Sequence, residues 1–435
     1  MFWKGVNRVK EIVLDGLDEK IYEYTTKCGL KVYMWVNEKV NSTLMSLSVK
    51  YGSIHTKFKV GKKVYSTPRG VAHFLEHVKF NMRDGVTAHD EFVKIGGDAN
   101  AFTTFKYTSY IVFATNKKQE NLNVLLDFVY NPYFTKKMIA KEKGIIIEEA
   151  NMTNDDVYTK MFYDSLKNAL QKSEYRYLIT GEEDDIKNIT VQDIKLVYET
   201  FYHPKNMFLA ITGNFNPYEI VKTIEDNLDK KEFGKYQNPE IIKESEPKKV
   251  TKEYSEEEIN ITYPRVKYSW KISLNKFKGI EKLDLKMMLN LIMNINFGAT
   301  SLFRSDLLLK GLITGMSYNV DVYDEYVLIS LSFNTNYPEE IIKLAKEKMD
   351  NLEVLKKDII RKKNASIATL ILDYEDIEQV NSKIQDDIIN EGKIITDLKE
   401  RITNINRERL ESIIKYITND NVSISVFKPK ENQES

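Results

Sequence analysis

Residues 110–131 read YIVFATNKKQENLNVLLDFVYN, and residues 326–351 read YVLISLSFNTNYPEEIIKLAKEKMDN. Each stretch opens with aromatic and aliphatic residues, passes through a polar turn and continues with apolar residues at helical spacing. Both therefore predict a strand followed by an amphipathic helix. A second helical pattern follows each one, MIAKEKGIIIEEANM from Met138 and DIIRKKNASIATLIL from Asp358. Internal duplication is the simplest account. Upstream, Met45, Leu47, Val49 and Tyr51 alternate with Ser46, Ser48 and Lys50, the period-two pattern of a half-buried strand. Tyr107–Ala114 and Met207–Thr212 predict further strands, and Glu120–Val129 and Lys136–Ala150 predict helices. Strands interleaved with long helices predict an α+β protein of two similar halves, each a mixed or antiparallel sheet packed with helices.

The halves are separated by DKKEFGKYQNPEIIKESEPKKVTKEYSEEE, a charged stretch with two prolines and no sustained apolar period. It predicts a first domain over 1–231, a linker over 232–256 and a second domain over 257–435. Lys plus Arg and Asp plus Glu number 64 each, so no net field draws the chain toward nucleic acid or anionic lipid. A single cysteine, Cys28, excludes an intrachain disulfide and a cysteine-based zinc site; it reads as a small buried hydrophobe. The N-terminal residues MFWKGVNRVKEIVLDG have neither the apolar core nor the cleavage site of a signal peptide. No apolar run approaches the roughly 18 residues of a membrane span. The expectation is a soluble cytoplasmic protein with no membrane or nucleic-acid partner.

The chemistry is concentrated in STPRGVAHFLEHVKF, residues 66–80. On a helix, His73 and His77 share one face, so both imidazoles can reach one metal ion. Glu76 stands beside the second histidine, where a carboxylate can approach water without ligating; the order is that of an inverted zincin. Phe74, Leu75 and Val78 supply an apolar flank. A third ligand is sought in the helix predicted over Lys136–Ala150. Glu142 and Glu149 lie seven apart, within about 20° of each other around a helix, whereas Glu148 points about 100° away from Glu149. If one glutamate binds metal and another orients a histidine, the pair is Glu149 and Glu142. Of the other histidines, His55 and His89 read as surface residues.

His73, Glu76 and His77 followed by Glu149 resemble the pitrilysin, insulin-degrading enzyme and mitochondrial processing peptidase family of zinc peptidases. Gly96-Gly97-Asp98-Ala99-Asn100-Ala101-Phe102-Thr103 resembles the family's Gly-rich turn and edge strand. By resemblance, Asn100 and the backbone of Ala101, Phe102 and Thr103 hold substrate by strand addition. Phe201-Tyr202-His203-Pro204 resembles the approach to a core strand of the family, which makes His203 structural. The resemblance implies a clamshell of two homologous halves, the second a degenerate copy in which Lys362 and Thr369 fall opposite Glu142 and Glu149.

It further implies peptide hydrolysis with one zinc ion (Zn2+) per chain, held by His73, His77 and Glu149. Zinc acidifies water and polarises the scissile carbonyl. Glu76 is then the catalytic general base and Glu142 the support of a histidine. One departure stands out. The family's second half carries an arginine and, seven residues on, a tyrosine that hold substrate and the tetrahedral intermediate. Here TSLFRSDLLLKGLITGMSY places Leu307 and Thr314 at those positions; Arg304 is nearby, but Gly311 follows it at that spacing. The implied assembly is a heterodimer in which a homologous partner supplies the arginine and tyrosine, with a homodimer as second choice. Bacterial relatives of this type trim small peptides or remove leaders. A non-catalytic peptide-binding or assembly subunit with a retained zinc motif is the alternative. A metal-dependent hydrolase acting on non-peptides has little support, since the chain has no Walker-type glycine loop.

Overall fold

The alternation around Met45 does build a strand, and it lies near the centre of the larger sheet. The computed structural model describes residues 9–430. In chain order the strands are β1 (Val9–Val13), β2 (Lys20–Thr25), β3 (Lys31–Val36), β4 (Thr43–Val49), β5 (Lys57–Val60), β6 (Lys63–Ser66), β7 (Gly97–Thr103) and β8 (Thr108–Ala114). They continue with β9 (Met207–Gly213), β10 (Glu240–Ile241), β11 (Tyr254–Ile259), β12 (Arg265–Ser273), β13 (Gly315–Val322), β14 (Tyr326–Asn334) and β15 (Val422–Pro429). A seven-stranded sheet runs β1-β2-β3-β9-β4-β8-β7, antiparallel except for the β3–β9 pair. A small sheet runs β10-β5-β6, and a five-stranded sheet runs β11-β15-β12-β14-β13 with β11 and β15 parallel. The α+β expectation holds.

The chain divides into two compact units that are discontinuous in sequence. One comprises Met1–Met152, Tyr177–Lys243 and Leu370–Leu398; the other comprises Thr153–Arg176, Glu244–Thr369 and Lys399–Ser435. Successive stretches of chain, as expected from the charged segment, do not describe this division. Two segments depart from it: 153–176 joins the second unit, and 370–398 joins the first. The stretch 232–256 is also more ordered than a linker reading implies. Glu240 and Ile241 pair with β5, and Tyr254–Ile259 forms β11. Between them the Glu246 carboxylate accepts from the backbone of Gln171, Lys172 and Ser173 at 2.9, 2.8 and 2.7 Å. It also accepts from the Lys271 ammonium at 2.6 Å, in an ion pair whose side chains are 1% and 2% exposed.

β4 differs from the half-buried expectation, because all seven of its residues are buried. Met45, Leu47 and Val49 enter the main core of the first unit. On the other face, Ser46 donates to Asn381 at 2.6 Å and Ser48 to Gln385 at 3.1 Å, both on the helix Ile377–Asn390. A polar face was correctly read from the serines, but a helix far along the chain covers it.

The duplication is visible as repeated topology. In the first unit the order β4-β8-β7 is followed in the chain by helices Lys118–Tyr130 and Lys136–Asp155. In the second, β12-β14-β13 is followed by helices Pro338–Asp350 and Lys356–Asp373. Helices Lys118–Tyr130 and Pro338–Asp350 are both 13 residues long. Among the described residues, no helix is long and apolar enough to cross a membrane.

Candidate metal centre

The histidines sit on the helix Val71–Lys79, which packs Phe74, Leu75 and Val78 into the core with no exposure. Its start is fixed by Gly70, at φ 80°, where a Cβ would lie 2.2 Å from the Thr180 carbonyl oxygen. Only glycine meets both demands. His73 and Glu76 remain buried, at 8% and 7% exposure. The opposing helix, Lys136–Asp155, buries Ile139, Glu142, Ile146 and Ala150. That stripe carries Glu142 and Glu149 to the histidines.

The three expected ligands meet. Glu149 Oε1 lies 3.3 Å from His73 Nε2, and its Oε2 lies 3.2 Å from His77 Nε2. One ligand atom from each residue lies within 4.8 Å of the others, a group that could hold a metal ion. A tetrahedral zinc ion with bonds of about 2.0–2.1 Å places its ligand atoms about 3.4 Å apart. Each histidine nitrogen lies about that far from one Glu149 oxygen, though from a different one, and two imidazoles with one carboxylate are a donor set that zinc accepts. Behind it, His77 Nδ1 and Glu142 Oε1 are 3.1 Å apart. That bond fixes the ring and leaves Nε2 facing the site, as ligating histidines require. His73 lacks such support: its Nδ1 is buried and finds no hydrogen-bond partner among the described residues.

Electrostatics follow from this packing. The hydrogen bond from His73, and then that from His77, hold Glu149 far below the usual carboxylate range. Burial works to lower the pKa of His77, but Glu142 and Glu149 outweigh it and raise it to about 9. Burial raises the pKa of Glu76 against the opposing pull of His73, Thr103 and His77. The Thr103 hydroxyl donates to Glu76 Oε2 at 2.6 Å.

Thr103 ends β7, which among the described residues is an edge strand of the seven-stranded sheet, paired on one side with β8. Asn100 is exposed and accepts from the backbone of Ala101 at 2.8 Å. Phe102 packs edge-on to Tyr107 at 5.7 Å. Sequence reasoning had placed Thr103 here for its backbone and missed its hydroxyl. The available signal was period two, which puts Thr103 on the same face as Ala99 and Ala101.

In the second unit, Leu307 is 1% exposed and belongs to the core, while Thr314 uses its backbone N–H to reach Asn334. Neither supplies a cation or a phenol. Opposite the glutamates of the first unit, Lys362 donates to Asn294 at 2.6 Å and to Thr300 at 3.0 Å. His89 is exposed and stacks on Phe80 at 4.6 Å. His55 departs from the surface expectation. It is half-buried, its Nδ1 accepts from Gly52 N–H at 2.9 Å, and burial drives its pKa down to about 3. His203 Nδ1 accepts from the backbone of Lys205 at 3.2 Å and its Nε2 meets the Gly234 carbonyl at 3.0 Å.

Comparison with known proteins supplies a family. The pattern of the family described as Insulinase (Peptidase family M16) matches residues 36–180, and that of the Peptidase M16 inactive domain matches residues 188–364. The chain is 36% identical to the "uncharacterized zinc protease YmfH" of Bacillus subtilis, over 73% of this chain and 74% of that protein. The chain belongs to the M16 insulinase family. It is also 23% identical to a probable mitochondrial-processing peptidase subunit beta of Arabidopsis thaliana, over 89% of this chain and 76% of that one. In fold it is similar to an M16-like peptidase structure from Alicyclobacillus acidocaldarius, with a TM-score of 0.90 and 24% identity. That match covers 96% of this chain and 100% of the other. Pitrilysin matches with a TM-score of 0.74 at 16% identity, over 97% of this chain and 47% of its own. The M16 pattern over residues 36–180 spans the whole histidine–glutamate cluster.

Proposed function

We propose that this chain is the metal-bearing subunit of a zinc-dependent endopeptidase that cleaves small peptides or leader segments, with a homologous partner completing the site. The observation that carries the reading is the convergence of His73, His77 and Glu149 within 4.8 Å, with Glu76 on the same helix as the histidines. His73, His77 and Glu149 would hold one zinc ion, and Glu142 would keep His77 in its ligating orientation. Zinc bound there supplies a Lewis acid that lowers the pKa of water and polarises a carbonyl. Glu76 takes the proton from the attacking water and delivers it to the leaving amine. A peptide lies extended along the free edge of β7, paired to the backbone around Ala101–Thr103, with Asn100 beside it.

Zinc content of the purified chain tests the site: about one zinc per chain, kept in E148Q and lost in E149Q. Peptide cleavage tests the base. E76Q should keep zinc and fold yet cleave nothing, and wild-type turnover in E76Q would refute the assignment. A second reading, a peptide-binding or assembly subunit that does not cleave, is favoured by Leu307 and Thr314 standing where the arginine and tyrosine are expected. Zinc content without cleavage under any pairing would select it.

A further inference from the structure

The base, Glu76, and the strand proposed to receive the peptide are joined by one side chain. β7 alternates, so Gly97, Ala99, Ala101 and Thr103 share one face. Ala99 belongs to the core that includes Phe74, Leu75 and Val78, and Ala101 packs against it. Their small side chains let the histidine helix lie close to the strand. Thr103 is the one position on that face with a hydroxyl.

Proton accounting fixes the direction of its bond. Thr108 lies opposite Thr103 in the β7–β8 register, and its Oγ1 donates to the Tyr51 carbonyl at 3.1 Å. That commits the single proton of the Thr108 hydroxyl. The Thr103 hydroxyl stands 3.3 Å from Thr108 Oγ1 and 2.6 Å from Glu76 Oε2. Its proton therefore goes to the carboxylate. Among the described residues, no other side chain hydrogen-bonds Glu76. One carboxylate oxygen is thus held and the other is left for water.

We propose that Thr103 is the positioning residue of the general base, its hydroxyl holding Glu76 in register with the strand on which the peptide lies. The inference rests on the peptidase reading above. The backbone of Thr103 pairs with β8 on one side and borders the free edge on the other. One residue thereby fixes both the base and the strand that sets substrate register. Its loss should affect the chemical step and leave binding alone.

The test compares wild type, T103V and T103S. Valine keeps the shape and removes the donor, whereas serine keeps the donor. In T103V, kcat on a quenched peptide should fall about tenfold to a hundredfold, the range expected when a reacting group is misplaced by an ångström or less. KM and zinc content should not change, and T103S should restore kcat. An uncleaved peptide should bind E76Q and E76Q/T103V equally. Crystals should show the Glu76 carboxylate in place in wild type and T103S and displaced in T103V. Unchanged kcat in T103V, an equal loss in T103S, or weakened peptide binding would overturn the proposal. So would an undisplaced carboxylate in T103V, whether or not any peptide is cut. Wild type that cleaves nothing, alone or mixed with a homologous chain carrying the arginine and tyrosine, would count instead against the peptidase reading. If the valine variant does not fold, T103A against T103S makes the same comparison.

Discussion

His77 shows how a single residue can be read from both of its nitrogens. Without metal, its protonated ring donates from Nδ1 to Glu142 at 3.1 Å and from Nε2 to Glu149 at 3.2 Å. Those two carboxylates, working against burial, hold its pKa at about 9. A metal ion can take Nε2 only by displacing that proton, because the ligand must be the neutral imidazole. Zinc loading near neutral pH should therefore release about one proton from His77. Apparent affinity should climb as pH rises toward 9. Calorimetry in buffers of different ionisation enthalpy measures the released proton directly. In E142Q the ring loses a charged partner, and the release should shrink. Equal release in E142Q and wild type would show that Glu142 does not set the charge of His77. Helical spacing put His73 and His77 on one face and Glu142 with Glu149 on another, and the family resemblance singled out Glu149 as their companion. The Thr103–Glu76 bond was not legible in the sequence, because it joins a strand to a helix and depends on a register that no local pattern states.

At the level of elements, the helix Ile377–Asn390 explains most of what sequence patterns left out. Asn381 accepts from Ser46 and from Gln385, at 2.6 and 2.8 Å, and donates to the Ala210 carbonyl at 3.3 Å. Thr212 reaches the Ile377 carbonyl at 2.7 Å. The sheet's second face is thus closed by a polar layer rather than by water. Asp387 lies near the end of that helix, 9% exposed, where it accepts from the Ile395 N–H at 3.0 Å and has Lys383 at 3.8 Å. Burial raises its pKa from 3.8 to about 6 despite Lys383. A carboxyl bound more tightly to its proton in the folded state costs stability once the pH exceeds its unfolded value. The cost grows between those two pKa values and is constant above the higher one. D387N keeps an oxygen for Ile395 and carries no charge. It should be more stable than wild type near pH 7.5, by on the order of 1–3 kcal/mol at about 1.4 kcal/mol per pKa unit, with little gain near pH 4. Urea unfolding at the two pH values measures this, and a gain confined to the acid side would contradict it. Strands and helices were legible from period two and period 3.6, and the duplication from their repeated order. The covering helix was not, because nothing in Ile377–Asn390 names the sheet it lies on. The order within the charged segment was hidden for a related reason: Glu246 binds three backbone amides and a buried lysine, contacts that no local pattern states.

At the scale of the whole molecule, the two units carry different chemistry on the same topology. One brings two histidines and a glutamate together; the other fills the matching helix position with Lys362, bonded to Asn294 and Thr300. An ammonium there satisfies its neighbours and repels a cation, so a second metal site has no foothold. The obvious way to make the chain self-sufficient would be to restore the arginine and tyrosine as L307R/T314Y. Leu307, however, sits in the second core among residues such as Leu289, Ile313 and Leu331, at 1% exposure. A guanidinium placed there would be buried without a partner, a change that typically costs several kcal/mol. The double variant should therefore unfold at lower temperature and gain no peptidase activity. A separate chain that carries its own arginine and tyrosine on a fold of the same family should raise cleavage when mixed with wild type, and should do nothing for E76Q. Thermal melts and cleavage assays of the two proteins, alone and together, separate these outcomes. An L307R/T314Y chain that folds as well as wild type and cuts peptide alone would show that the site needs no second subunit, because the missing groups could then be accommodated within this one.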